Sequence, residues 1–161
     1  MTAFTRSSIG SSGGGGSSVI TEGFEARLAF NQTILSSLWT KIAFAVEDYD
    51  LGSSYDNATN YRFTPQAEGI YLVTCQITWA NLTAGASNKL AIYKNGSSII
   101  QFDDEGTGVS NETLSLTVTV KLNGSTDYIE MFCYHDTGTS ETIYSSSIFN
   151  RFTATHLGTT S

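Results

Sequence analysis

His135 and His156 are the only two histidines, and so the only side chains of ordinary pKa here that could act as general bases near neutral pH. His135 stands in Tyr134-His135-Asp136, where a strand meets its loop, and neither histidine lies in a nucleophile or metal motif. A Ser/His/Asp triad is recognised by geometry, which spacing does not supply, so both read as ordinary surface histidines and no catalytic residue is assigned. Asp48, Asp50 and Asp56, and the run Asp103-Asp104-Glu105, offer the hard oxygen ligands that calcium takes. Asp48-Tyr49-Asp50 starts like an EF-hand loop, but Ser53 and Thr59 stand where that loop needs its glycine and its closing glutamate. Solvated loop carboxylates are therefore expected and no metal site is assigned, a weak calcium site between subunits being the alternative. Gly13 to Gly16 has no strand before it, no helix after it and no closing Lys-Ser or Lys-Thr, so it is a tether and no cofactor site. Cys75 and Cys133 lie far apart, each among apolar residues, which suits a small buried thiol, with one disulfide as the alternative. Six Asn-x-Ser/Thr triplets, at Asn31, Asn57, Asn81, Asn95, Asn111 and Asn123, arise by composition in a chain this rich in those residues.

The totals narrow the function classes. With 161 residues, 40% of them hydrophobic, the chain suits one domain with a short appendage. Charged residues are 14%, well under the roughly 25% of ordinary soluble domains, and Ser, Thr, Asn and Gly supply the polarity instead. A net charge of -7 with only 8 Lys and Arg argues against nucleic acid, because neutralising phosphates needs clustered cations. No stretch approaches the ~20 consecutive apolar residues of a membrane span, so no membrane partner is expected. The N-terminus lacks the apolar run of a secretory signal, so synthesis in a cytosol is expected.

The elements that must carry these residues are strands. Tyr71, Val73, Cys75, Ile77 and Trp79 alternate with Leu72, Thr74, Gln76 and Thr78, and Leu114, Leu116, Val118, Val120 and Leu122 alternate with polar residues. Leu90 to Lys94 and Ser98 to Phe102 flank Asn95-Gly96, the dipeptide that best tolerates a type I′ hairpin turn. Further strands are expected at Lys41 to Val46, Asp127 to Tyr134 and Ser147 to Thr155, with Asn123-Gly124 as another turn. Only one proline, Pro65, interrupts the chain, and the spacing of short strands suits an all-β, two-sheet antiparallel sandwich, a jelly roll by first choice. Residues 1–23 differ: Ser7-Ser8-Ile9-Gly10-Ser11-Ser12 leads into Gly13 to Gly16 and Ser17-Ser18, an extended arm with Phe4, Ile9, Val19 and Ile20 as apolar docking points. The domain proper is expected at 24–161.

The stretch from Tyr55-Asp56 through Tyr61-Arg62-Phe63-Thr64-Pro65 to Gly69-Ile70-Tyr71 resembles the central signature of the C1q and tumour-necrosis-factor-like superfamily. Other matching segments follow in order: Leu28-Ala29-Phe30, Lys94-Asn95-Gly96, Tyr128-Ile129-Glu130 and Ser146-Ser147-Ile148-Phe149. Independently of the family, Phe63 and Tyr71 bracket a turn in which Pro65 fixes one φ and Gly69 is expected to release another, setting core aromatics on adjacent strands. The chain departs from animal members in having no Gly-X-Y stalk, in Leu72 where a Phe is common, and in Ser125-Thr126-Asp127 before the late strand.

The resemblance implies a ten-strand jelly roll packed as a homotrimer, with ligands met at outer loops or the trimer apex. Aromatic residues in excess of what one sandwich needs, 12% of the chain, place Tyr71, Phe132, Tyr134 and Phe152 at the subunit interface, although the same positions can also face the core. Small chains of this kind with a Gly/Ser arm look like bacteriophage virion proteins. An arm of about 23 residues spans at most ~80 Å, too short for a fibre shaft, so a capsid decoration or cement protein fastened through its arm to a major capsid or other virion protein is expected, located in the virion. The alternative is a recognition module whose Ala80 to Asn88 and Asp103 to Asn111 loops bind a receptor or host-surface glycan.

Overall fold

The computed structural model describes residues 22–159; Phe4, Ile9, Val19 and Ile20 lie outside them. Thirteen strands and no helix make up the described residues: β1 (Gly23–Arg27), β2 (Gln32–Ile34), β3 (Thr40–Lys41), β4 (Val46–Leu51), β5 (Tyr55–Asp56), β6 (Arg62–Phe63), β7 (Glu68–Asn81), β8 (Ser87–Lys94), β9 (Ser97–Glu105), β10 (Ser110–Asn123), β11 (Ile129–His135), β12 (Glu141–Ile143) and β13 (Arg151–Gly158). One sheet runs β2-β12-β7-β13-β1-β4 with β10 along the other edge of β7; the second runs β5-β6-β11-β8-β9 with β3 beside β11. All pairings are antiparallel. This is the all-β jelly-roll sandwich expected of the sequence.

Period-two alternation builds the core between the sheets. Tyr71, Val73, Cys75, Ile77 and Trp79 are fully buried, as are Ile129, Met131 and Cys133 facing them from β11. Phe24 anchors an aromatic cluster, stacking on Tyr55 and Phe63 with ring centroids 4.2 and 4.8 Å away and meeting Phe152 edge-on at 4.7 Å. The hairpin forms as expected: Asn95 and Gly96 take φ of +53° and +78° between β8 and β9.

Four expectations change. Lys41 to Val46 is not one strand, because the chain there crosses from one sheet to the other. Lys41 pairs with Phe132 of β11, Val46 with Arg27 of β1, and Ile42 and Phe44 plug the gap between, fully buried. The Gln32 side chain stands in for a neighbouring strand across the crossing, donating to the Lys41 carbonyl (2.8 Å) and accepting from Ala43 N–H (2.9 Å). Ser147 to Asn150 is a turn, closed by Phe149 and Asn150 N–H on the Ser146 carbonyl, so the last strand starts at Arg151. Gly69 sits inside β7 without a positive φ; it is needed because a Cβ there would collide with the His156 imidazole and the Gly158 carbonyl. Phe63 and Tyr71 meet not on adjacent strands but across the two sheets, 5.5 Å apart.

Strand registers place the loops at two ends. Glu68 of β7 lies beside Asn123 of β10, and Gly23 beside Thr155, so both termini of the described chain share one end. Asn81 lies beside Ser110, and Asn88 beside both His135 and Asp104, so loops 82–86, 106–109 and 136–140 gather at the other. The 14 residues of β7 separate the ends by about 45 Å at the usual strand rise.

Candidate functional site

Two buried polar clusters mark the two ends, and each fixes the backbone that a partner would meet. At the terminal end the Glu22 carboxylate, 4% exposed, accepts from Tyr71 Oη (2.6 Å), Gln66 N–H (2.7 Å), Ala67 N–H (3.0 Å) and Ser54 Oγ (3.1 Å). Burial alone would push its pKa up, but the hydrogen bonds, led by that from Tyr71, outweigh it and hold the carboxyl below its ordinary value. Burial and the facing carboxylate together drive the Tyr71 phenol far upward, so it stays a donor. The Glu22 carbonyl also accepts from His156 N–H at 3.1 Å. Loops 52–54 and 64–67 and strands β7 and β13 thus converge on Glu22, the first of the described residues. The fold takes in Glu22 and Gly23, two residues earlier than the composition shift suggested.

At the far end Trp79 Nε1 donates to Asn88 Oδ1 (2.8 Å), and Asn88 Nδ2 to Glu112 Oε1 (3.4 Å). The other Glu112 oxygen accepts from the Thr107 N–H and hydroxyl, tying loop 106–109 to the core. Gly85 N–H donates to the Gly106 carbonyl and Gly106 N–H to that of Ala86, so loops 82–86 and 106–109 form one unit, with Val109 exposed at its tip. The recognition loops expected at Ala80 to Asn88 and Asp103 to Asn111 are therefore brought together, although their outer residues belong to strands. His135 is not a surface histidine: it is fully buried, its Nε2 donates to the Ile34 carbonyl (3.0 Å), Nδ1 lies against the Thr137 hydroxyl (3.1 Å), and its ring meets Trp79 edge-on. The alternation of β11 points it inward, which Tyr134-His135-Asp136 at a strand end concealed. His156 packs on the Tyr71 ring, its Nε2 buried without a hydrogen-bond partner among the described residues.

The carboxylates weighed as calcium ligands and expected to be solvated are mostly engaged within the protein. Asp48 pairs with Arg27 at 3.0 Å, and Asp50 accepts from Tyr55 N–H at 2.9 Å. Asp56 accepts from Ala58, Thr59 and Asn60 N–H and from the Asn60 side chain; these bonds, that from Thr59 first, pull its pKa to about 2. Asp103 pairs with Lys89 at 2.8 Å. No three His, Cys, Asp or Glu side chains converge as metal ligands among the described residues. Cys75 and Cys133 are free and buried, and desolvation pushes both thiols well above the ordinary range.

Two of the expected interface residues are corrected. Tyr71 and Phe152 are fully buried inside the sandwich and present nothing to a partner, because both lie on the inward face of their strands. Phe132 and Tyr134 do face outward, where they join Trp39 and Tyr93, which the sequence reading missed. Trp39 stands outside any strand, so no periodicity could have placed it.

A family model for the C1q domain matches residues 24–152. No curated protein matches the sequence. Among solved structures, the globular domain of zebrafish complement 1qA protein aligns with a TM-score of 0.64 at 14% identity, over 87% of this chain and 99% of its own. Vertex protein P5 of phage PRD1 aligns with a TM-score of 0.64 at 12% identity, over 87% and 99%. Eiger TNF from S. frugiperda aligns with a TM-score of 0.61 at 10% identity, over 88% and 94%. Identities this low speak for the shared jelly roll, and the family match adds kinship in sequence across 24–152: the chain belongs to the C1q domain family.

Proposed function

We propose that this chain is a non-enzymatic, homotrimeric structural protein of a bacteriophage virion, a capsid decoration or cement protein fastened to a capsid or other virion protein through its N-terminal arm. The observation that carries the reading is the Glu22 clamp: the arm, residues 1–21, starts from a rigid point at one end of the sandwich, while the loops lie at the other. A tether of linker composition gains nothing from a buried, four-donor anchor unless the direction in which it leaves matters. The likeness to a protein named as the PRD1 vertex protein supports a virion setting for such a fold.

Self-association is best supported on the outward face of the larger sheet. Outward exposed or half-buried residues of β7 and β10 include Leu72, Thr74, Gln76, Thr113, Ser115, Thr117 and Thr119, and the charges at the end of this face, Glu68 and Lys121, pair with each other at 3.2 Å. Thr74 and Thr117 hydroxyls meet at 3.1 Å and those of Thr113 and Thr78, the latter buried under Phe149, at 2.8 Å, so the polar atoms of this face are largely paired. A second copy can cover such a face at little desolvation cost.

Light scattering on the full chain and on a form lacking residues 1–21 but keeping Glu22 tests both parts. Three chains per particle are expected in each, and only the full chain should rebind virions stripped of it. A monomer, or rebinding without the arm, overturns the reading.

A further inference from the structure

We infer that the outward face of the smaller sheet is a binding platform for an uncharged oligosaccharide. Trp39 lies 5.5 Å from Tyr134 and 6.1 Å from Tyr93, which lies 4.2 Å from Phe132, so four partly exposed rings, tilted to one another by 32° to 60°, form one aromatic cluster on this face. None is needed to fill the core, which closes beneath them with Leu90, Ile92, Met131 and Cys133.

Two features specify the occupant. The charges beside the rings are matched: Lys41 pairs with Glu130 and Lys89 with Asp103, while their cations sit over Phe132 and Tyr134. Arg62 stacks on Tyr128 at the margin, 4.4 Å from its centroid, one strand from Asp56. Arg62 and, at the far margin, Glu105 stand outside any ion pair among the described residues, so the aromatic centre of the face itself offers no unpaired charge to steer an ionic partner. The hydrogen-bonding groups left unspent at the rings themselves are neutral: the Trp39 indole N–H and the Tyr93 and Tyr134 hydroxyls have no protein partner among the described residues. Apolar ring faces beside free neutral donors and acceptors fit a pyranose, whose C–H face stacks while its hydroxyls bond at the edge. A second acidic copy of this chain would bring both charge repulsion and unmatched polar tips.

Intrinsic fluorescence tests this directly, because the chain has two tryptophans and Trp79 is fully buried. Neutral linear hexasaccharides of glucose, mannose, galactose and N-acetylglucosamine are the probes, with hexaglucuronate as the charged comparison. At least one neutral probe should shift Trp39 emission saturably, with affinity unchanged between 0.05 and 0.5 M salt, on the order of what uncharged contacts give. Trp39→Ala and Tyr134→Ala, read by calorimetry, should each weaken binding about tenfold, whereas Trp39→Tyr should keep most of it, which a folding defect would not. Absence of binding by every neutral probe overturns the proposal. So do undiminished binding by Trp39→Ala, binding of hexaglucuronate alone with loss in salt, or a fall in solution mass in Trp39→Ala, which would make the face an interface between copies.

Discussion

Glu22 carries more structural consequence than any other single side chain at the terminal end. Replacing it by Gln keeps the size but turns one acceptor oxygen into a donor facing N–H and O–H groups, which should cost about 2 kcal/mol, or roughly 6 °C in Tm. Its folded-state pKa lies below the ordinary 4.5, so its contribution is complete above that value and is lost as acid titrates the folded carboxylate. Urea midpoints measured from pH 6 to pH 3 should therefore fall less steeply in Glu22→Gln than in the parent chain. The two thiols make a second expectation at this scale. Cys75 and Cys133 face each other's sheets in a dry core and are held protonated, so a thiol reagent should label neither until the protein unfolds. Rapid labelling of the native protein would show that the core opens locally.

Among the elements, β7 organises the fold, because it borders β10 along one edge and β12 and β13 along the other. Gly69 lets its first residues pass under His156. Gly69→Ala forces the imidazole and the Gly158 carbonyl aside, an overpacking expected to cost about 2 kcal/mol by chemical denaturation. Adding His156→Ala should restore part of it, because the larger of the two obstacles is then gone. Alternation along β7, β10 and β11 was legible in the sequence because each strand has one dry face. The crossing at 42–45 was not, since Ile42 and Phe44 alternate like strand residues while their backbone pairs with no continuous neighbour. Gly69 was legible as a required glycine but for the wrong cause: conformational freedom and the need for space look alike in one letter.

At the scale of the molecule, the two sheet faces differ in chemistry, and that difference decides the division of labour proposed above. The Thr-covered centre of the β7 and β10 face should tolerate no unpaired charge if copies meet there. Thr117→Asp is expected to dissociate the assembly to single chains at micromolar concentration while far-ultraviolet circular dichroism stays that of the parent, because Thr117 is exposed and meets only the half-buried Thr74 within its own chain, so the new carboxylate is solvated in a single chain and desolvated only under a partner. An unchanged mass by light scattering would move the interface elsewhere. Trp39 and Tyr134 lie on the opposite sheet, so their substitutions should leave the mass alone.

The sequence by itself determined the fold class, most strands, the Asn95-Gly96 hairpin and the buried state of the cysteines, because these depend on neighbours a few residues apart and on which face is dry. Tertiary structure alone decided what the polar residues do. Glu22 meets Ser54, Gln66 and Tyr71 across 32 to 49 positions, His135 meets Ile34 across 101, and Trp39 comes to rest on Tyr134. Such contacts are chosen by the order in which strands stack into two sheets, and no local period records that order.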